Sequence, residues 1–405
     1  MHAKAKLFLN PYTIYSLGFL GVLALYPLGW SDLYPNLSSF LVIFIIISSI
    51  ISFLVGLRFH EINYFAYSSV NFSIKKIWLF TFLILLSYVA EFYYHRLIPL
   101  VAILRGSKYD YTQFGIPSFH VLVVIFNSFW AVFVFHNIQS QKKKSLYLAY
   151  LLCITPPILI FNRGMFMMIL ASSIFILLMA TNNIKKILIR VLIFLFFILF
   201  LFGIAGNVRF RGGTASGNSL ILKIGMASNN FKNSIVPDQF FWSYLYITSP
   251  LANAQKTLDK RKNIDLSVTK IAAFINSEIL PDFISKRNEY LVKFSEPMIG
   301  ISKAFTVGSV YAKSCAYFGN YGLLIMYLYI LFFNLVVIIM LNPKSKFFIT
   351  GVATLNSIML FNIFDNMFHF AGLVLQLVFP IVFGGLAKAS QILKVNTKSL
   401  INNTA

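Results

Sequence analysis

Ten long apolar stretches constrain this chain of 405 residues more than any other feature. Each has 16 to 23 residues, and a helix needs roughly 20 apolar residues to cross the hydrocarbon core of a membrane. They are residues 12–30, 37–57, 77–94, 117–137, 146–161, 164–181, 187–206, 319–341, 347–364 and 370–387. The sequence therefore predicts an all-α fold, a polytopic helical bundle of about ten transmembrane helices.

The charge content excludes a soluble enzyme of several domains. Only 11% of the residues are charged, whereas soluble proteins carry about 25%. The net charge of +22, from 34 basic and 12 acidic residues, is typical of a nucleic-acid-binding protein. Membrane proteins collect Lys and Arg in their cytoplasmic segments for a simpler reason, so we expect no nucleic-acid partner.

The distribution of Lys and Arg among the connecting segments predicts the topology. Basic residues occur in every second short segment and in both terminal segments, which places both termini in the cytoplasm. The single long hydrophilic region then lies in the periplasm. Three parts follow: residues 1–206 with spans one to seven, residues 207–303 as a large periplasmic loop, and residues 304–405 with an interfacial helix, spans eight to ten and a cytoplasmic tail.

Arginines concentrate on the predicted outer side, where seven of the nine lie. A planar guanidinium suits bidentate binding of phosphate or carboxylate. Arg163 lies alone between spans five and six, while Arg209 and Arg211 follow span seven. Glycines after Arg211 predict that the helix has ended, so both side chains would face one anion on an extended backbone. The alternative is that these arginines are interfacial cations that reach toward lipid headgroups.

The segment 105–120 leads into span four and carries further candidates for anion binding, Arg105 and Tyr111. Pro117 suits the first turn of a helix, and the N-terminus of a helix attracts phosphate. His120 follows and is a candidate to donate to that anion or to accept a proton. The alternative is an interfacial histidine with aromatic anchors around it.

Two groups of titratable residues are candidates for catalysis. Glu91 is the only acidic residue within the first nine spans, and a carboxylate inside a membrane is costly enough to be functional or paired. It lies near the outer end of span three and His120 near that of span four, which suggests that they are neighbours. Asp365 and His369, four residues apart in a short outer turn, are candidates for an acid–base pair. Structural pairing of Glu91 with His95 or Arg96, and helix capping by Asp365, are the alternatives.

An aromatic segment, residues 240–253, lies within the large loop. Tyr244 and Tyr246 are candidates to stack on sugar rings, although aromatic residues at an interface are also common membrane anchors. The two cysteines share no motif, no cluster has the spacing of a metal site, and no glycine-rich nucleotide loop occurs. We therefore expect neither a metal nor another cofactor.

Four of these segments together resemble a known family. They are Gly115-Ile116-Pro117 with His120, Asn162-Arg163-Gly164, Val208-Arg209-Phe210-Arg211-Gly212 and the segment from Tyr244 to Asn253. With the many spans and the late periplasmic loop, they resemble the O-antigen polymerases, the Wzy-type oligosaccharide repeat-unit polymerases of the bacterial inner membrane.

The resemblance implies a glycosyltransferase of GT-C-like fold in the bacterial inner membrane. It would transfer a growing glycan from undecaprenyl diphosphate onto the next lipid-linked repeat unit. It also implies partners: undecaprenyl-diphosphate-linked oligosaccharides, membrane lipid, a flippase and a chain-length-determining co-polymerase. Arginines would hold the diphosphate, and a carboxylate or histidine would accept the hydroxyl proton.

Two other functions compete with this interpretation. An O-antigen ligase uses the same donor and also combines outer arginines with a large loop. A lipid-linked oligosaccharide flippase or other transporter favours charges inside the bundle and internal repeats, whereas the charges here gather at one face. A membrane acyltransferase would need a histidine deep within a span, which the sequence does not offer.

Overall fold

The computed structural model describes residues 6–105, 113–210, 217–261 and 265–386, and these residues are predominantly helical. Within this part of the chain, β structure is limited to the isolated bridges that join Ser31 to Ala227 and Ser309 to Asp365. The predicted all-α class is therefore confirmed for the described residues.

The helices follow the chain in three groups. The first comprises α1 (Pro11–Leu25, extended by a 3-10 turn Tyr26–Leu28), α2 (Ser39–Glu61), α3 (Ile74–His95), α4 (Pro99–Leu104), α5 (Phe119–Gln141), α6 (Lys144–Leu159), α7 (Arg163–Ala180) and α8 (Ile184–Phe210). The second comprises α9 (Gly217–Ile224), α10 (Asn229–Lys232), α11 (Gln239–Lys260), α12 (Val268–Phe274, continued by a π turn Ile275–Ile279), α13 (Asp282–Ser285) and α14 (Glu289–Val292). The third comprises α15 (Ala312–Met340), α16 (Phe348–Phe361) and α17 (Ala371–Leu386).

Six helices of the described residues are long and apolar enough to cross a membrane: α1 with its 3-10 extension, α2, α3, α5, α7 and α15. Helices α6, α16 and α17 are shorter but also apolar. The chain is therefore a helical membrane protein. The number of ten crossings and the orientation of the termini stay predictions.

Local sequence explains where several helices begin. Asn10 caps α1 through a hydrogen bond from the Thr13 N–H, at 3.0 Å, and Pro11 occupies the first helical position. Asn162 caps α7 in the same way through the Met165 N–H, at 3.0 Å. A capping side chain satisfies a backbone donor that the helix itself leaves unpaired. The turn between α6 and α7 is short, because Asn162 starts a new helix there.

Helices α5 and α16 form the centre of the bundle, and most of their side chains are buried. Helix α2 turns one apolar face outward, formed by Ile43, Ile47, Ile50 and Leu54. Positions three or four residues apart lie on the same side of a helix. This face is suited to contact lipid.

The region predicted as a large loop packs onto the bundle, mainly through α11. Helix α11 contacts α1, α8 and α15. The buried Asn253 side chain donates to the carbonyl oxygens of Phe305 and Val307, at 2.9 and 2.7 Å, and accepts from the Ile301 N–H at 2.7 Å. A buried amide with three partners fixes the segment before α15 against α11.

Helix α8 extends farther than the sequence predicted. We expected its span to end at residue 206, but the helical backbone continues to Phe210. At Gly203 a Cβ atom would lie only 2.2 Å from the Gln239 carbonyl oxygen, so α8 and α11 meet backbone to backbone. This contact supports α8 near its end, and only glycine permits it.

Helix α15 is interrupted at Gly319, where φ is 54° and ψ is −132°. This residue is the one at which the eighth apolar stretch begins. The short piece before the break is buried, whereas the long piece after it exposes Leu328, Phe332 and Ile339.

Candidate functional site

A cleft of about 320 Å³ opens at the end of the bundle where α5 and α7 begin. Its lining comes from two connections, the one that precedes α5 and the turn between α6 and α7. The lining residues are Phe114, His120, Ile160, Phe161, Asn162, Arg163 and Gly164. Two of the predicted site residues, His120 and Arg163, therefore share one cleft.

Glu91 lies behind His120 and completes a carboxylate–imidazole pair. Both Glu91 carboxylate oxygens are 3.0 Å from His120 Nδ1. The Glu91 side chain is fully buried, whereas that of His120 is 23% exposed. A carboxylate only accepts hydrogen bonds, so Nδ1 carries the proton. In a neutral imidazole the other ring nitrogen, Nε2, then carries the free lone pair.

The alternative pairings of Glu91 along its own helix are wrong. His95 Nε2 instead accepts a hydrogen bond from the Gly115 N–H, at 2.9 Å. Gly115 has a φ of +111°, and a Cβ atom there would lie 2.2 Å from His120 Cγ. Only glycine fits this contact, so the segment before α5 fixes the position of the His120 ring.

The expected role of Pro117 in the first turn of α5 is also wrong. Ser118 has a φ of 64°, which interrupts the helical backbone, so α5 begins at Phe119. The Phe119 and His120 N–H groups donate to the Pro117 and Ile116 carbonyl oxygens, at 2.8 and 2.9 Å. These two backbone donors are thus not free to bind a phosphate, and His120 contributes through its side chain.

Arg163 occupies the first position of α7, at the mouth of the cleft. It is exposed, its guanidinium carbon lies 5.4 Å from the centre of the Phe161 ring, and it forms no ion pair with the described residues. Among those residues, the Arg163 and Gly164 backbone N–H groups also donate no hydrogen bond. The N-terminus of a helix is itself positive. A guanidinium beside this positive helix end is electrostatically unfavourable, and a bound anion would relieve the repulsion.

The structure places the other predicted arginines apart from this cleft or leaves them undescribed. Arg105 is exposed after α4. Arg209 lies in the last turn of α8, where only the backbone is described, and this helical backbone contradicts the extended geometry that the sequence suggested. Arg211 and Tyr111 lie outside the described residues. Arg261 pairs with Glu296, at 2.7 Å between Nη2 and Oε2.

The two tyrosines predicted to bind sugars pack against other rings. Tyr244 is 4% exposed and stacks on Tyr34, with ring centres 5.8 Å apart. Its hydroxyl accepts a hydrogen bond from the Trp30 N–H at 3.3 Å. Tyr246 stacks on Phe364 at 5.6 Å. In this conformation Tyr244 joins α11 to the connection between α1 and α2. A role in sugar binding stays a prediction for both residues.

Asp365 and His369 are not hydrogen-bonded to each other. Asp365 Oδ1 accepts from the Asn366 N–H at 2.8 Å, and His369 Nδ1 donates to the Leu280 carbonyl oxygen at 3.0 Å. Burial lowers the pKa of His369. His369 instead fastens the large loop to the turn between α16 and α17, whereas the Asp365 side chain bonds within that turn.

Sequence reasoning missed Glu278, which lies at this junction in the π turn after α12. Its side chain is 1% exposed, and Oε2 accepts from Asn366 Nδ2 at 3.1 Å. Oε1 is 4.0 Å from Lys313 Nζ and has no hydrogen-bond partner among the described residues. A π turn has no clear sequence signature. The available signal was a carboxylate in a short segment flanked by the apolar residues Ile275 and Leu280.

Glu278 gives the fold a pH dependence. Burial raises its pKa to about 7, partly offset by Lys313, so the folded chain holds a proton that the unfolded chain releases above its ordinary pKa of 4.5. The free energy of unfolding should therefore be highest at low pH with respect to Glu278, decrease as the pH rises toward 7, and stay constant above that. We expect Glu278→Gln to raise stability at pH 8 by roughly 1–3 kcal/mol and to flatten this slope. Thermal unfolding of purified protein between pH 5 and 8 measures both effects.

Glu61→Gln is the matched control for this prediction, because Glu61 is exposed and pairs with Arg58 away from the junction. It should leave the pH dependence unchanged. A Glu278→Gln variant that is less stable than the parent at pH 8 would show that the ion pair with Lys313 outweighs the desolvation of the carboxylate.

Among the described residues, no group of three or more His, Cys, Asp or Glu side chains is placed to hold a metal ion. Cys153 and Cys315 are buried and form no disulfide.

No protein-family model, curated protein or solved structure matches the chain.

Proposed function

We propose that the protein is a membrane glycosyltransferase of the O-antigen polymerase type. It would transfer a growing glycan from undecaprenyl diphosphate onto the next lipid-linked repeat unit, in the periplasmic leaflet of a bacterial inner membrane. The observation that carries the proposal is the cleft that combines Arg163 with the Glu91–His120 pair at one end of the bundle.

The pair supplies the base that such a transfer needs. The acceptor sugar hydroxyl attacks the anomeric carbon of the donor and loses its proton to His120 Nε2. Glu91, 3.0 Å from Nδ1, holds the ring in the required tautomer and stabilises the imidazolium that forms. A positioned base of this kind typically accelerates a reaction by about 10²- to 10⁴-fold.

Arg163 would stabilise the diphosphate leaving group. As the new glycosidic bond forms, the bond from the anomeric carbon to the diphosphate oxygen breaks, and negative charge gathers on the diphosphate. The Arg163 guanidinium and the N–H groups at the start of α7, which donate no hydrogen bond to the described residues, would stabilise this charge. Because the Arg163 guanidinium would balance part of this charge, the proposal needs no metal ion. A flippase supplying repeat units and a co-polymerase setting chain length would be the partners of this activity.

Deletion of the gene, followed by electrophoresis of lipopolysaccharide, tests the proposal. Loss of a polymerase should leave core carrying a single repeat unit, because ligation of one unit continues. Loss of an O-antigen ligase or of a flippase should leave bare core. Bare core in the deletion strain would therefore overturn the polymerase assignment, and restoration of the ladder by the intact gene is the control.

A further inference from the structure

A second cleft, of about 480 Å³, lies where the connection between α1 and α2 meets α9 and α10. None of the residues that line it also lines the Arg163 cleft. The lining residues are Asp32, Leu222, Lys223, Met226, Ala227 and Lys232. Two lysines and two long apolar side chains therefore share one opening.

Hydrogen bonds hold the two walls of this cleft together. The Asp32 N–H donates to the Met226 carbonyl oxygen at 2.9 Å, and the Ser228 N–H donates to that of Trp30 at 2.9 Å. The Ser31 hydroxyl donates to the Gly225 carbonyl oxygen at 2.6 Å. These bonds run in both directions between two short segments, so the cleft is a fixed feature of the fold.

Met226 is strained. Its φ of 44° lies in the left-handed region, and its side chain is nevertheless 50% exposed. Such a backbone costs a non-glycine residue free energy, and it persists where the surrounding bonds impose it, often at binding sites. A residue with a strained backbone therefore presents an apolar side chain to an open cleft.

The charge of the cleft is positive and unpaired. Lys223 and Lys232 are both exposed, and neither forms an ion pair with the described residues. Asp32 forms no ion pair with the described residues either, so the lining carries two positive charges and one negative charge. Cations beside apolar walls suit a ligand that has an anionic head and a hydrocarbon tail.

The cleft lies close to the end of an apolar span. The apolar span that includes α1 ends at Leu28, four residues before Asp32. Trp30, between them, packs on Phe231 with ring centres 5.1 Å apart, and tryptophan favours the boundary of the membrane. Lys223 and Lys232 are therefore held near the plane in which lipid phosphates lie.

We infer that this cleft binds the phosphate headgroup of a lipid, with Lys223 and Lys232 as its ligands and Met226 against the first carbons of the chain. If the proposed function holds, on which this step rests, the lipid is the diphosphate-linked acceptor. The donor would then occupy the Arg163 cleft, and each of the two lipid-linked substrates would have its own cationic site.

The test measures how many molecules of farnesyl diphosphate bind to the protein in phosphatidylcholine nanodiscs, by isothermal titration calorimetry. The parent protein should bind two. The double variant Lys223→Gln with Lys232→Gln should lose one site or bind there roughly 10- to 100-fold more weakly, the effect of losing charge-assisted hydrogen bonds. Arg163→Ala should lose the other. Retention of two unweakened sites in the double lysine variant would overturn the inference.

Two controls separate the cleft from general charge and folding effects. Lys293→Gln with Lys303→Gln removes the same charge from exposed lysines outside the cleft and should keep both sites. Met226→Gly relieves the backbone strain, so it should fold at least as stably as the parent and yet weaken the lysine site. Undiminished binding by Met226→Gly would contradict the role given to its side chain.

Nanodiscs that contain phosphatidylglycerol distinguish the sources of the phosphate. Displacement of farnesyl diphosphate from the lysine site alone would assign the cleft to an ordinary phospholipid and overturn the acceptor role. Resistance to displacement supports the acceptor. Because binding is measured without turnover, a failure of the polymerase assignment in the deletion strain would leave this result intact.

Discussion

Replacement of Arg163 by Ala is expected to slow polymerisation roughly 10- to 100-fold, because a charge-assisted hydrogen bond to the donor diphosphate is lost. The lipopolysaccharide ladder should collapse toward a single repeat unit, while the amount of protein in the membrane stays the same. Arg163 is exposed and forms no ion pair with the described residues, so its removal leaves no buried partner without a charge.

Arg163→Lys separates charge from geometry. A guanidinium can hold two phosphate oxygens at once, whereas an ammonium acts as a point charge. The lysine variant should therefore fail to restore the ladder, although it keeps the positive charge at the start of α7. A normal ladder from Arg163→Lys would mean that the residue is a general interfacial cation.

Arg58→Ala is the matched control for this experiment. Arg58 is also exposed, but it pairs with Glu61 at the end of α2 that is remote from the cleft. Its loss should leave the ladder unchanged. If both arginine variants shortened the ladder equally, loss of positive charge in general would explain the effect.

The sequence predicts the position of Arg163 well because the determinants are local. Two apolar stretches interrupted only by Asn162, Arg163 and Gly164 require a tight turn, and Asn162 is a favourable first cap for the second helix. The long apolar stretches similarly predict where the long helices lie, since most are close to the length that a helix needs to cross the hydrocarbon core.

Other features depend on packing between distant segments and could not be predicted in this way. The sequence suggests that Glu91 and His120 are neighbours, but the bond between them needs the left-handed Ser118 and the close approach of Gly115. The extension of α8 to Phe210 likewise accompanies its contact with α11. Glu278 meets Asn366 across the junction of loop and bundle, a contact that no local pattern encodes.

Loss of the Glu91–His120 pair should have the largest effect on turnover. We expect His120→Ala to reduce the rate by roughly 10²- to 10⁴-fold, the usual contribution of a general base. Glu91→Gln should cause a loss of similar order, because the amide carries no charge to stabilise the imidazolium and presents a competing donor to Nδ1. The rate is measured as transfer between lipid-linked repeat units in membranes, with the protein amount quantified in each sample.

The control for this prediction is His60→Ala, since His60 lies in the last turn of α2, near Arg58 and away from the cleft. It should keep the full rate. Full rates in both Glu91→Gln and His120→Ala would place the base elsewhere, with Asp365 and His369 as the next candidates to replace.

The double variant distinguishes a catalytic pair from two structural residues. If Glu91 acts only through His120, replacing Glu91 should not lower the rate further in a protein that already has Ala at position 120. Glu91→Gln with His120→Ala should then be no slower than His120→Ala alone. Independent structural defects would instead multiply, as distant substitutions do. Glu91 is fully buried at 3.0 Å from His120, so a multiplicative loss would show that it serves the fold of α3 rather than the proton transfer.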